Sequence, residues 1–294
     1  MSDITAIILT YNEEKHIRRC IENVKQVSKV VYVIDSFSED CTCKIAKECG
    51  AVVLRNKYIN QAQQFQWALE NCPIDTAWTM RMDADEYLTD KLIEEIKQTL
   101  PKLPKAVTGC MMARNVVFLG KELKYGKLRT IRLMRLWRTG KAKMEQRWMD
   151  EHLYVTEGKT IKLKHVFIDD NLNGLTEWIR KHNNYSNREI VVTYENYWNS
   201  SNIRNGILEK RNTEKSRYYK MPKFLRAFIY FFVRYICFGG FLDGKAGFIW
   251  ATLQAYWYRV LIDAKIEEME HIIGKNPTPE KMKQYFQDQY GIFV

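Results

Sequence analysis

Apolar positions in the first hundred residues alternate between short continuous runs and helical spacing. Ile4–Leu9 is a β-branched run suited to a strand buried on both faces, and it stops at Thr10-Tyr11-Asn12-Glu13-Glu14. Asn12 then reads as the N-cap of a helix that carries Ile17, Cys20, Ile21 and Val24 on one face, with Glu13 and Glu14 in its first turn. A second run, Val30–Ile34, stops at Asp35-Ser36-Phe37-Ser38 and predicts a helix from about Glu39 to Cys49, closed by Gly50. Ala51–Leu54 predicts a third strand, Gln61–Leu69 a third helix, and Trp78–Met82 a fourth strand ending at Asp83-Ala84-Asp85-Glu86. Strands alternating with helices imply an α/β fold, a mostly parallel twisted sheet flanked by helices, whose ligands bind beyond the carboxyl ends of the strands. After Pro101 and Pro104 the pattern turns to mixed, basic and aromatic segments, so a second sub-structure is expected there.

The C-terminal third is patterned differently. Phe224–Phe241 is strongly apolar, but Arg226, Arg234, Gly239 and Gly240 interrupt it, so it lacks the ~18 continuous apolar residues of a spanning helix. Basic residues lead into its start: from Lys210 to Arg226 stand Lys210, Arg211, Lys215, Arg217, Lys220, Lys223 and Arg226 against the single acid Glu214. That juxtaposition suggests a helix lying in the headgroup layer of an anionic membrane. Ala246–Ile262 forms a second apolar helix, and packing of both helices on the rest of the chain or on a second copy is the competing reading. A short closing helix is expected after Asn276.

Charge and cysteine content narrow the classes. The formal net charge of +11 calls for an anionic partner, whether phosphorylated substrate, phospholipid or nucleic acid. Seven cysteines without CxxC spacing read as reduced thiols, and Cys41-Thr42-Cys43 lacks a second half that would make it a metal site. The segment Met1–Leu9 shows neither a basic n-region nor a long apolar h-region, which sets cytoplasmic residence as the expectation.

Candidate chemistry concentrates at the strand ends. Asp83 and Asp85, two residues apart, let one carboxylate bind a hard divalent cation while the other contacts substrate; Mg²⁺ or Mn²⁺ there would neutralise a diphosphate leaving group. Ser38 fits the cap of the second helix and so leaves Asp35 free to accept an N–H from a nucleotide base. Neither G-x-x-x-x-G-K-[ST] nor G-x-G-x-x-G occurs, which removes support for phosphate-loop NTPases and nicotinamide dehydrogenases. Arg129, Arg132 and Arg135 sit at near-alternating positions, consistent with a strand exposing cations to a phosphate-rich cleft or simply to water. Lys181, His182 and Tyr185 share a helical face that could meet acceptor or diphosphate.

The ordered set Ile7–Glu14, Val33–Ser36 with Asp40, Gln64–Leu69 and Arg81–Glu86 resembles family 2 glycosyltransferases of the GT-A fold. The similarity continues through Asp150-Glu151-His152, His165, Asp169-Asp170-Asn171 and Lys181–Arg188, resembling members that build bacterial exopolysaccharide, O-antigen or lipopolysaccharide core. The resemblance implies a catalytic GT-A domain over residues 1–200, with a nucleotide-sugar half to about 105 and an acceptor half from 106, and a helical C-terminal extension over 201–294. It implies that Thr10, Tyr11, Asn12, Glu14, Asp35, Gln64 and Asp83 line the donor nucleotide site, and that Asp83 and Asp85 hold ribose and a divalent cation, Mn²⁺ or Mg²⁺. His165 is either a further metal ligand or a satisfied structural histidine. Glu151 stands where the family has its general base, with Asp150 replacing the usual histidine before it; a surface ion pair with Arg147 is the bland alternative. Arg132, Lys181, His182 and Tyr185 are the candidate acceptor or diphosphate contacts. The expected activity is metal-dependent, inverting transfer from a nucleotide diphosphate sugar to a lipid-linked or lipopolysaccharide acceptor at the inner face of the cytoplasmic membrane. A lipid-phosphate glycosyltransferase is one alternative. A basic nucleic-acid-binding protein is another, but it leaves the acidic strand ends unexplained, so nucleic acid is not expected as a partner.

Overall fold

The computed structural model describes residues 3–128, 131–145, 152–198, 218–275 and 277–293, which divide into two compact units, Met1–Asn173 and Gly174–Val294. In the first unit the alternation continues as strand β1 (Ile4–Thr10), helix α1 (Ile17–Val24), β2 (Val30–Asp35), α2 (Thr42–Glu48), β3 (Val52–Arg55), α3 (Gln61–Asn71) and β4 (Trp78–Asp83). Then come β5 (Glu86–Leu88), α4 (Asp90–Thr99), β6 (Val107–Phe118), β7 (Lys121–Leu123), β8 (Arg132–Arg138), β9 (Ala142–Met144), β10 (Leu153–Val155) and β11 (Lys159–Asp170).

These strands form a nine-stranded sheet of order β3-β2-β1-β4-β8-β6-β11-β5, with β7 paired to β6, and a two-stranded sheet of β9 and β10. The expected α/β architecture is present: β3, β2, β1 and β4 are parallel, whereas β8 runs antiparallel to both β4 and β6. The β-branched runs are continuous because helices cover both faces. Ile4, Ala6, Ile8, Val33, Met80 and Met82 meet α1 and α4 on one side. Ile7, Tyr32 and Ile34 share a second core with Phe65 of α3 and with Trp137, whose ring lies edge-on to Phe65 at 5.9 Å. Each such side chain contributes roughly 1.5–3 kcal/mol by leaving water.

Two local readings are corrected. Helix α1 starts at Ile17 rather than directly after Asn12, and Asn12 is no N-cap: it adopts a left-handed backbone, φ 55°, and its side chain accepts from the amide of Glu39. Asn tolerates this conformation better than most residues.

The second unit is helical. Helix α5 (Leu175–Trp198) packs along the helix Tyr258–Ile273. The helix Leu225–Phe232 passes into a π-helical turn, Val233–Cys237; after Gly239, a 3₁₀ turn (Gly240–Asp243) leads into Gly244–Trp250, a π-helical stretch Ala251–Trp257, and Tyr258–Ile273. The expected closing helix runs Pro279–Tyr290, its first turn capped by Thr278. At the centre of the unit, buried Arg226 is bonded to buried Asp263, whose carboxylate also accepts the Phe224 amide at 2.7 Å.

Candidate functional site

In the strand order β3-β2-β1-β4 the winding reverses between β1 and β4, and a crevice opens beyond the carboxyl ends at such a switch point. The register places Thr10 level with Asp35 across β1 and β2, and Leu9 level with Asp83 across β1 and β4. Three strand ends singled out by their polar residues are therefore neighbours, with Asp35 and Asp83 about 10 Å apart by strand spacing.

On the β2 side the polar groups are tied to one another. Asp35 is fully buried; it accepts from the Ser38 amide at 2.9 Å, the Ser38 hydroxyl at 2.5 Å and the Thr10 hydroxyl at 3.3 Å, with Arg55 at 3.8 Å. The expectation that Ser38 leaves this carboxylate free is thus overturned: the loop after β2 turns back on Asp35 itself. Gln64, also buried, donates to the Ser36 hydroxyl at 3.1 Å and accepts from Asn56 at 2.8 Å, so it braces the same loop. The loop after β1 is stitched to the loop after β2: the Asn12 amide donates to Ser38, and Glu14 accepts from the Cys41 amide at 3.1 Å. From this braced rim two aromatic rings stand out to solvent, Tyr11 (54% exposed) and Phe37 (53%). Phe37 has a left-handed backbone, φ 61°, a strained state for an aromatic residue that no residue pattern around it signals.

On the β4 side the carboxylates are dense and unequally neutralised. Asp83 is paired with Arg135 at 2.9 Å and with Arg81 at 3.3 Å. Glu86, buried, accepts the Asp83 amide at 2.9 Å and pairs with the same Arg135. Burial pushes the Glu86 carboxyl up to about 8; Arg135 opposes this, while Asp83 and Asp169 add to it. Burial would discharge Arg135, but Asp83 and Glu86 outweigh it and hold the guanidinium charged. Arg135 is therefore a buried counterion rather than the exposed cation its spacing suggested. Asp85 accepts from the Asn171 amide group at 2.9 Å, and among the described residues no Lys or Arg pairs with its carboxylate. Its backbone carbonyl takes the Asp170 amide at 3.0 Å, and Arg19 clamps Asp170 at 2.6 Å. Burial, then Glu86, Asp85 and Asp83, push the Cys20 thiol far up, a sign of concentrated negative potential beneath the loop.

His165 does not join this cluster. A register shift between Lys162 and Val166 on β11 sets it beside α4, where its Nδ1 lies 2.9 Å from Glu95, which also accepts the amides of Lys164 and His165. Asp170, five residues on and roughly 15 Å along the strand, is the residue that meets the Asp85 loop. Among the described residues no three His, Cys, Asp or Glu side chains converge as a metal cage. Arg132 donates to the Leu163 carbonyl at 2.8 Å. Asp150 and Glu151 lie outside the described residues, as do Arg129, Arg147 and the basic positions Lys210, Arg211, Lys215 and Arg217.

In the second unit, Lys181 lies over the Tyr185 ring at 5.8 Å. His182 is not presented for contact: it stacks on Trp178 at 3.5 Å and its Nδ1 faces the Trp178 carbonyl at 2.8 Å. Burial lowers its pKa from 6.5 to about 4. The imidazole is therefore neutral in the fold and protonates near 6.5 once unfolded, so its contribution is complete above pH 6.5 and is lost as pH falls through about 4. His182→Gln is expected to flatten the acid limb of stability, by up to about 1.4 kcal/mol per pH unit within that window, in urea unfolding followed from pH 7 to 4. An unchanged limb would contradict a neutral, half-buried His182.

Residues 5–160 match the family described as Glycosyl transferase family 2. The lipopolysaccharide core biosynthesis glycosyltransferase LpsC of Rhizobium meliloti is 27% identical over 287 residues, 94% of this chain and 95% of that protein. An uncharacterized glycosyltransferase of Rickettsia typhi is 38% identical over 97 residues; the match spans 33% of this chain and 32% of the relative. Among solved structures, Staphylococcus aureus TarS 1–349 in complex with UDP aligns over 62% of this chain and 64% of its own, at 11% identity and a TM-score of 0.44. Glucosyl-3-phosphoglycerate synthase from Mycobacterium tuberculosis, in complex with Mn²⁺, UDP and glucosyl-3-phosphoglycerate, aligns over 39% of this chain and 44% of its own, at 16% identity and a TM-score of 0.31.

Proposed function

This chain belongs to glycosyl transferase family 2, and from that premise we propose that the β1–β4 crevice binds a nucleotide diphosphate sugar and transfers its sugar, with inversion, to a bacterial surface-glycan precursor. The observation that carries the reading is the unequal neutralisation of the two aspartates: Asp83 is held by Arg135 and Arg81, whereas no cation side chain among the described residues pairs with Asp85. Hard carboxylate oxygens at the mouth of a switch-point crevice fit Mg²⁺ or Mn²⁺, which such sites hold through one or two carboxylates and the substrate phosphates. Asp85 would hold the cation, which when bound would supply charge neutralisation for the departing diphosphate.

The chain's own residues do the rest. Tyr11 offers its exposed ring to the base, while Thr10, Asn12, Glu14, Asp35 and Gln64 fix the two loops that shape the nucleotide pocket. Asp83, its carboxylate oriented by two guanidiniums, accepts from the ribose. Glu151, next to Asp150, takes the proton of the acceptor hydroxyl as that oxygen attacks the anomeric carbon, because a neutral hydroxyl is a weak nucleophile. Likeness to a protein named for lipopolysaccharide core biosynthesis supports a lipopolysaccharide-type or lipid-linked acceptor, met at the inner face of the cytoplasmic membrane.

Calorimetric titration of UDP-, GDP- and dTDP-sugars with Mn²⁺ or Mg²⁺ tests the donor site. One donor is expected to bind in a metal-dependent way. Failure of every donor with either metal would contradict the reading.

A further inference from the structure

The hairpin Leu225–Trp257 is inverted relative to a water-soluble bundle, unlike the rest of its unit, which buries Ile190, Val191, Ile262, Ile266, Met269 and Phe286. The hairpin's buried seam is built of small residues, Ala227, Gly240, Gly247, Ala251 and Ala255, while Phe228, Phe232, Phe238, Phe241, Leu242 and Phe248 are exposed, Leu242 by 56%. The seam is tight: a side-chain carbon at Gly247 would stand 2.4 Å from the Gly240 carbonyl oxygen. Close backbone approach through small residues with bulky apolar groups turned outward is the packing used in lipid, where burying large side chains inside gains nothing. In water, an apolar patch of this kind marks an interaction surface.

Charge selects the occupant. Between Tyr218 and Ile262 the sole acid is Asp243, and it is buried, whereas Lys220 and Lys245 are exposed. A face of aromatic and aliphatic groups edged by lysines and lacking exposed acid complements anionic phospholipid. Geometry selects the depth. No single described helix is long and apolar enough to cross a membrane, but Leu225–Cys237 and Gly240–Ile273 satisfy that test together and are bent from one another by 69° at Phe238-Gly239. The first arm is ~20 Å long at 1.5 Å per residue, short of the ~30 Å hydrocarbon core, and the bend turns the chain aside instead of onward. The base of the hairpin is fixed, since Asp263 holds both Arg226 and the left-handed backbone of Phe224.

We propose that Leu225–Trp250 is a re-entrant wedge whose apex, Phe238–Leu242, inserts into one leaflet of an anionic bilayer, rather than a helix lying flat in the headgroups. It deepens the membrane location proposed above and is independent of donor chemistry, so the two fail separately.

Cys237, exposed at the apex, allows a direct test. The full chain with Cys41, Cys43 and Cys49 changed to Ser is labelled at Cys237 with an environment-sensitive fluorophore and mixed with phosphatidylglycerol-containing or pure phosphatidylcholine vesicles. Blue-shifted emission with the anionic vesicles is expected, with quenching by lipids brominated along the acyl chain. Phe238→Asp with Phe241→Asp, both at exposed positions, is expected to lower vesicle flotation at least 10-fold with unchanged circular dichroism and donor binding. Three results would overturn the wedge: an unshifted Cys237 probe on bound protein, equal flotation of the double variant, or a dimer whose patch is covered by a second copy and which ignores vesicles.

Discussion

Replacing Asp85 by alanine is expected to lower kcat/KM for sugar transfer by about 10³-fold while changing unfolding stability by less than about 1 kcal/mol. The activity loss follows from charge. Among the described residues Asp85 is the carboxylate of the cluster that no Lys or Arg pairs with, and in the proposed site its removal would uncouple a bound cation from the diphosphate. The small stability cost follows from contacts, because its side chain accepts from Asn171 in a part-buried setting and, among the described residues, from no guanidinium. Asp85→Asn, which keeps the shape and loses the charge, is expected to fall nearly as far. Steady-state kinetics with the donor found by titration, beside urea unfolding, separates the two effects. Activity within 10-fold of the parent protein in both variants would remove Asp85 from the machinery.

Arg135→Met is expected to do the opposite, destabilising the fold by about 3–5 kcal/mol, since one buried guanidinium serves both Asp83 and Glu86. Its side chain is 5% exposed and also lies over the Phe167 ring at 5.3 Å, so lysine, without the planar fork, is a poor replacement. Adding Glu86→Gln to Arg135→Met is expected to recover much of the loss, because a neutral amide needs no counterion. The pH dependence has a definite sign. A Glu86 carboxyl raised from 4.5 to about 8 stabilises fully below 4.5 and loses that contribution as pH rises through about 8. The deficit of Arg135→Met should therefore be smallest in mild acid and largest above pH 8. A deficit independent of pH would show that packing, not charge, ties Arg135 to the site.

The strands and the convergence of the candidate strand ends were legible because burial on both faces leaves uninterrupted runs such as Ile4–Leu9 and Val30–Ile34, each ending abruptly in polar residues. Alternation with helices then implied a parallel sheet, and the ligand end of such a sheet follows. What spacing did not carry was the direction of individual side chains. Arg135 read as a solvated cation because its partners, Asp83 and Glu86, come from a strand end distant in sequence. Asp35 read as free because a loop that folds back on its own carboxylate leaves no periodic trace. The resemblance left His165 as either a metal ligand or a satisfied structural histidine, and the irregular register of β11 carries it to Glu95, the second of these. The C-terminal hairpin read as a helix lying in the headgroup layer, and the face its Phe side chains take was not legible, since it depends on two π-helical stretches that break the helical period.

The proposed donor site is the β1–β4 crevice. The most direct measurement is a crystal structure of the full chain with a nucleoside diphosphate and Mn²⁺, using the anomalous signal of manganese to place the ion. One peak is expected within bonding distance of an Asp85 oxygen, with the base beside Tyr11 and the ribose at Asp83. Manganese bound at Glu95 and His165, or a nucleotide seated away from the ends of β1 and β4, would contradict it.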